Sequence, residues 1–380
     1  MAAASDADPP DPGLDEKEMC TLNYTSGTTA RPKGVMLSHR ALVCNALDFI
    51  IHVGVTYRDV YLHTLPMFHA NGWGGIWALT GMGGTHVNLR KVDVAEIYQK
   101  IVKYRVSLAC AAPTVLVSIS SASAATPGSL SGFRICTAGA PPPAAVIERM
   151  ELLGAKVIHA YGLTETGPFI TSCEWKPEFD DLPAGERARI KARQGISQLL
   201  VDTRVLDEDL IEVPHDGRTV GEICGRGHVF MTGYYNQPEE TAKAFAGGWF
   251  HSGDLAVVQS DGYIEIVDRA KDVIISGGEN ISSVEVEGVL YKHPAILEVA
   301  VIGVPDSKWG EVPRAIIVAR PGASLTEEGI INFCRERMAH FKVPKGVDLV
   351  EALPRTATGK IQKFVLREKY WAGRDKRVQG

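Results

Sequence analysis

Between Met19 and about Gly167, short apolar runs alternate with segments of helical periodicity, and no other feature of the chain restricts its fold as much. The strand-length runs read "TLNYT", "VYLHTLP", "VSLACAA", "FRICTAG" and "KVIHAYG". Ser38 is a good N-cap for the helix pattern "HRALVCNALDFIIH", Pro113 suits the first turn of "PTVLVSIS", and "AAVIERMELL" separates the last two strands. Strands joined through helices return in the same direction, so the pattern predicts a parallel sheet covered by helices, an α/β fold. The stretch after "VYLHTLP" reads as a glycine-rich turn.

Residues 195–268 change style. "QLLVDTRVLD", "LIEVP", "VGEICGRG" and "YIEIVD" are short strands punctuated by Asp-Gly and Gly turns, which predicts a small barrel or antiparallel sheet. Beyond Arg269, "SSVEVEGVLYKHP" and "TEEGIINFCRERM" read as helices, and "LEVAVIGVP" and "PRAIIVARPG" as strands, enough for a separate small α+β domain. With 380 residues, 45% apolar and 22% charged, the chain has material for two or three units of ordinary globular composition. Its net charge of -5 argues against electrostatically driven binding to nucleic acid or membrane surfaces. No apolar run approaches the about 20 residues of a membrane-spanning helix. The seven cysteines never form a C-x-x-C, which predicts a reducing compartment with buried free thiols, and neither a zinc site nor a disulfide framework. The opening "MAAASDADPPDPGLDEKE" is acidic and proline-rich and lacks the basic and apolar regions of a signal peptide, so a disordered leader over 1–18 is expected.

One loop carries candidate chemistry. "TSGTTARPK" (25–33) follows a strand and holds hydroxyls, a glycine and two basic side chains. Backbone N–H groups, hydroxyls and Lys33 could converge on an anion there. The same composition also suits a Ser/Thr/Gly turn with a solvated lysine, and alone it does not separate the two. It is not a Walker A loop: Gly27 lies six residues before Lys33, and Gly34 follows the lysine.

Other stretches fall into a recognisable order. "YTSGTTARPKGV", "LPMFHANGW" (65–73), "TAGAPPP" (137–143), "AYGLTETG" (160–167), "WFHSGDL" (249–255), "GYIEIVDRAKDVIISGGENISSVEVE" (262–287) and "PRTATGKIQK" (354–363) together resemble the motifs of the adenylate-forming superfamily. That superfamily comprises acyl-CoA synthetases, luciferases and peptide-synthetase adenylation domains. "SGGENIS" and "PMFHANGW" further resemble plant-type acyl-activating enzymes and 4-coumarate-like CoA ligases. The resemblance implies ATP, Mg²⁺ and coenzyme A, a small-molecule carboxylic acid, and two half-reactions: acyl-adenylate formation with release of pyrophosphate, then displacement of AMP by a thiol.

It also implies roles, residue by residue. Thr25, Ser26, Gly27, Thr28, Thr29 and Lys33 would grip the β- and γ-phosphates, Thr164 the α-phosphate, and Glu165 would bind Mg²⁺. Gly139, Ala140 and Pro141 would lie against adenine with Tyr161 available to stack, Asp254 would take the ribose hydroxyls, and Arg269 would be a second ribose or phosphate contact. Lys360 would bridge carboxylate and α-phosphate in adenylation. Lys271 would mark the hinge of a small domain that rotates between half-reactions, bringing Gly277 and Gly278 to line a pantetheine tunnel. His69, beside Gly72 and Trp73, would gate the acyl pocket or steer the carboxylate.

The implied architecture is a large AMP-binding domain over 19–269, made of the parallel sheet and a small β-barrel-like part, followed by a small C-terminal domain over 270–380. The family carries a long stretch ahead of the phosphate loop, and its absence predicts a partial large domain with uncovered sheet edges and apolar helix faces. A non-catalytic nucleotide-binding or regulatory homologue is therefore the alternative expectation. The C-terminal "RDKRVQG" lacks a Ser-Lys-Leu address, so the cytoplasm is expected, with peroxisomal placement a family precedent.

Overall fold

The computed structural model describes residues 13–25, 32–356 and 361–372. The expected parallel sheet is there. Val60–His63, Thr85–Asn88, Leu108–Ala111, Arg134–Thr137 and Lys156–Tyr161 run parallel, and Thr171–Ser172 and Ile196–Ser197 extend the sheet antiparallel to seven strands. Its central strands are buried on both faces, which is why "LACA" and "VIHAY" read as continuous apolar runs. One core, including Leu62, Ile97, Leu116, Ile135 and Met150, lies under the helices Val94–Tyr104, Pro113–Ser120 and Ala144–Leu152. A second, including Phe49, Trp73, Leu79, Cys110 and Phe169, lies on the other face under His39–Val53 and Gly75–Met82.

Two sequence expectations change. The "TLNYT" strand, Met19–Thr25, is not part of the parallel sheet: it pairs antiparallel with Lys33–Ser38, with Thr25 opposite Lys33, and Gly233–Tyr234 adds a third strand. The glycine-rich stretch after "VYLHTLP" makes a left-handed turn over Ala70–Trp73 and then a helix over Gly75–Met82. Ser38 caps the following helix as expected, its hydroxyl accepting from the Ala41 amide at 3.1 Å. The end of the expected leader is attached: the Glu16 and Glu18 carbonyls accept from the Arg40 and His39 amides. Residues 1–12 lie outside the described residues.

The β-rich middle is a four-stranded antiparallel sheet of Val201–Leu206, Gly221–Gly227, Phe250–Val258 and Ile264–Arg269. "LIEVP" contributes only a bridge between Leu206 and Glu212. The C-terminal part packs the helices Ser283–Leu290, Glu327–Arg335 and Lys363–Trp371 against a five-stranded sheet centred on Ile296–Asp306 and Gly310–Ala319. Among the described residues no helix is long and apolar enough to cross a membrane.

The two parts meet at residues 267–272. The Ser282 hydroxyl donates to the Val267 carbonyl and the Ser283 amide to Asp268. From the last helix, Arg367 pairs with Asp272, while Lys363 donates to Ser283 and pairs with Glu287 at 2.7 Å.

Candidate active site

The site gathers where the parallel strands end, the position at which α/β sheets form crevices. After Lys156–Tyr161 the chain makes a tight turn through Gly162. A Cβ there would sit 1.8 Å from the Pro168 carbonyl oxygen, so only glycine fits. Thr166 holds the turn: its hydroxyl accepts from the Leu163 amide and donates to the Pro168 carbonyl, both at 2.8 Å. With the turn closed by Thr166, Thr164 and Glu165 do not have to cap it and remain half-buried at the crevice.

Tyr234 donates its hydroxyl to Glu165 Oε1 at 3.0 Å. The Lys33 ammonium lies 4.7 Å from the centre of the same tyrosine ring and pairs with Glu240 at 2.6 Å. Lys33 and Glu165, far apart in sequence, thus meet across Tyr234. Thr25 flanks the same hairpin loop opposite Lys33. Ser26, Gly27, Thr28 and Thr29 lie outside the described residues, as does Lys360.

Beside this group Asp254 is buried, accepting from the Tyr161 hydroxyl at 2.7 Å and pairing with Arg269 at 2.9 Å. Tyr161 is itself buried, with its hydroxyl committed to Asp254. Asp254 and Arg269 face each other across neighbouring strands. Burial works against the Arg269 charge, but the fields of Asp254, Tyr161, Asp272 and Glu165 outweigh it and hold its pKa above the ordinary value. Lys271, two residues on, is pushed down to about 8 by burial and by the Arg269 charge. The structure therefore brings Lys33, Glu165, Tyr161, Asp254 and Arg269 into one electrostatic neighbourhood.

The "AGAPPP" turn leaves Arg134–Thr137 with Gly139, Ala140 and Pro141 exposed. Trp73 borders it, with Cζ2 3.6 Å from where a Gly139 side chain would begin. His69 is half-buried and precedes a run of left-handed backbone: Ala70, Asn71 and Trp73 have φ of 37°, 49° and 59°, among glycines at 72 and 74. Left-handed non-glycine residues cost about 1–2 kcal/mol each, and such strain clusters at functional sites. Asn71 is fastened to Asn23 of the first strand by a 3.0 Å hydrogen bond, which ties this loop to the hairpin of Met19–Thr25 and Lys33–Ser38.

Gly277 and Gly278 form the two-residue turn between Ile274–Ser276 and Glu279–Ile281, at φ of 61° and 91°. Both left-handed positions of such a hairpin favour glycine. Their structural role is thus accounted for by the turn itself.

Sequence reasoning missed Tyr234, Glu240 and Thr166. Glu165 and Lys33 lie 69 and 201 residues before Tyr234, so no local pattern marks that tyrosine. Thr166 carries a sequence signal, the hydroxyl two residues after Thr164 in a strand-end turn.

Comparison with known proteins fits this geometry. The AMP-binding enzyme family profile matches residues 2–235, and that of the AMP-binding enzyme C-terminal domain matches 285–360. The chain is 50% identical to 2-methylpropanoate–CoA ligase of Humulus lupulus over 91% of its own length and 63% of that protein. It is 49% identical to 4-hydroxybutyrate–CoA ligase 2 of Metallosphaera sedula over 94% of its length and 65% of that protein. It thus spans just under two thirds of these curated relatives. Its structure superposes on ATP-bound MatB from Rhodopseudomonas palustris with a TM-score of 0.87 at 32% identity, covering 98% of this chain and 72% of that one.

Proposed function

Because this chain belongs to the AMP-binding enzyme family, we propose that it is an ATP-dependent carboxylate–CoA ligase working through an acyl-adenylate. The observation that carries this reading is the buried Asp254 carboxylate, held by Tyr161 and by Arg269, on whose charge Glu165 also acts. A carboxylate has about four acceptor positions, and Tyr161 and Arg269 take two, leaving two for a pair of ribose hydroxyls. In this reading the large unit runs over 19–269 and the small one over 270–380.

In the first half-reaction a substrate carboxylate oxygen attacks the α-phosphorus of ATP and pyrophosphate leaves. In the second the thiol sulfur of coenzyme A attacks the acyl carbon, AMP leaves with the bonding pair, and the thiol proton passes to solvent. The substrates supply both nucleophiles, so the protein's part is to position them and spread charge. Lys33, Thr25 and the hairpin loop would hold the terminal phosphates, Thr164 the α-phosphate, and Lys360 the developing charge between carboxylate and phosphorus. The second oxygen of Glu165 suits a hard cation such as Mg²⁺, which when bound would neutralise phosphate charge. Gly139, Ala140 and Pro141 would meet the adenine, and His69 and Trp73 the acyl group. Lys271 would serve the hinge and Gly277 and Gly278 the pantetheine path.

The relatives suggest the probes. Pyrophosphate release should be measured with 2-methylpropanoate, 4-hydroxybutyrate and an aromatic acid, with and without coenzyme A. Acid-dependent release with CoA-dependent AMP formation is the expected result. Nucleotide-induced thermal stabilisation without release would make the chain a non-catalytic nucleotide-binding homologue instead. Asp254→Asn keeps an acceptor for Tyr161 but removes the charge, and should weaken ATP binding by about tenfold or more, the size of a charged hydrogen bond.

A further inference from the structure

Away from the crevice, the antiparallel strands Gly221–Gly227 and Phe250–Val258 place Cys224 directly opposite His251. Glu222, two residues before Cys224, projects from the same face. His251 Nδ1 lies 3.6 Å from Cys224 Sγ and 2.7 Å from Glu222 Oε2, and the three donor atoms fall within 4.8 Å of one another. Among the described residues no other three His, Cys, Asp or Glu side chains converge this closely.

We propose that Glu222, Cys224 and His251 form a binding site for a zinc-like divalent cation, with a fourth position left to solvent. The imidazole is set up for it. His251 Nε2 sits 3.1 Å from the Ala246 carbonyl oxygen, and because a carbonyl only accepts, Nε2 carries a hydrogen; Nδ1, 2.7 Å from the Glu222 carboxylate, donates there until a cation takes the place of that hydrogen. A backbone carbonyl on the distal nitrogen is the usual support of a metal-ligating histidine, and it turns Nδ1 toward the thiol and the carboxylate. An ordinary histidine–glutamate pair would account for two of these groups but not for a buried thiol against Nδ1.

The distances are close to those of coordination. Tetrahedral zinc, with bonds of about 2.3 Å to sulfur and about 2.0–2.1 Å to nitrogen or oxygen, puts S and N about 3.5 Å apart and N and O about 3.4 Å apart. The S–N spacing is already 3.6 Å, so only the carboxylate must swing. Glu222 can do so with Oε2 while Oε1 keeps its 2.7 Å bond from the Gly253 amide. Without a metal the Cys224 thiol keeps its proton at neutral pH, as an ordinary thiol does. Coordination forms the metal–sulfur and metal–nitrogen bonds and releases the thiol proton and the Nδ1 proton to solvent. The ion would brace the irregular strand that turns at Gly253 and presents Asp254.

The test is a Co²⁺ titration of the reduced, chelator-treated full chain without nucleotide. One equivalent should produce a near-ultraviolet thiolate-to-cobalt band that Zn²⁺ displaces and excess Mg²⁺ does not. Cys224→Ser and His251→Gln should each abolish it, whereas Cys20→Ser and Cys44→Ser should retain it. Zn²⁺ should raise the melting temperature of the wild type and not of Cys224→Ser. Absence of the band, its persistence in Cys224→Ser, or its loss in Cys20→Ser overturns the proposal. If Cys224→Ser fails to fold by circular dichroism, Glu222→Gln decides. A tenfold or greater loss of Co²⁺ affinity supports the site, and unchanged affinity overturns it.

Discussion

Lys271 holds its charge under opposition. Burial, then the Arg269 charge, lower its pKa from 10.5 to about 8, and Arg367 adds to the effect. Below about pH 8 the lysine is charged in both folded and unfolded chains, so the cost of keeping that charge in the linker is fully present at pH 7. Between about 8 and 10.5 the unfolded chain binds more protons than the folded one, and this residue's contribution makes stability rise with pH. Lys271→Met should therefore melt higher than the wild type at pH 7, with the advantage shrinking by pH 10; thermal melts by circular dichroism at the two pH values measure this. A variant that melts lower at pH 7 would show that the side chain's contacts outweigh its charge.

At the scale of elements, strands and capped helices were legible because their causes are local. Continuous apolar runs marked the parallel strands, and Ser38 and Pro113 marked helix starts. The pairing of Met19–Thr25 with Lys33–Ser38 was not legible, because it brings in a third strand some two hundred residues away. The strand Thr85–Asn88 was missed too: three of its four residues are exposed, so it carries no apolar run. Within the site, short motifs exposed Thr164, Glu165 and Asp254, while Tyr234 and Glu240 act only through the fold. The glycine turn at 277–278 separates two physical causes in neighbouring residues. A Cβ on Gly277 would fall 2.6 Å from the Trp309 ring, whereas one on Gly278 meets nothing within 4 Å. Gly278→Ala should cost about 1–2 kcal/mol, from backbone alone, and Gly277→Ala more. Removing the ring with Trp309→Ala should then rescue part of the Gly277→Ala loss and none of the Gly278→Ala loss. Urea denaturation of the four-variant cycles reads this, and equal coupling at both positions would refute the assignment.

Across the whole molecule, the small C-terminal part is held to the linker by charge as well as by apolar packing. Asp268, Asp272 and Glu287 face Lys363 and Arg367 from the last helix, and all five side chains are largely removed from solvent. Lys363 follows the proposed adenylating Lys360 by three residues, so this cluster fixes where the lysine's loop returns to the fold. Asp272 keeps its carboxyl below the ordinary carboxylate range despite burial, because Lys363 and Arg367 outweigh the desolvation. Breaking such a pair from one side leaves an uncompensated charge and costs about 3–5 kcal/mol, whereas removing both partners costs much less. Asp272→Asn and Arg367→Met should each destabilise the chain strongly in urea, with the double variant more stable than Arg367→Met alone. If the cluster also sets the position of the small domain, limited proteolysis should cut near residue 270 faster in Arg367→Met than in the wild type, and the double variant should fall between them. Additive losses in the cycle would mean that the two side chains act independently, and the linker would then be held by packing rather than by this ion pair.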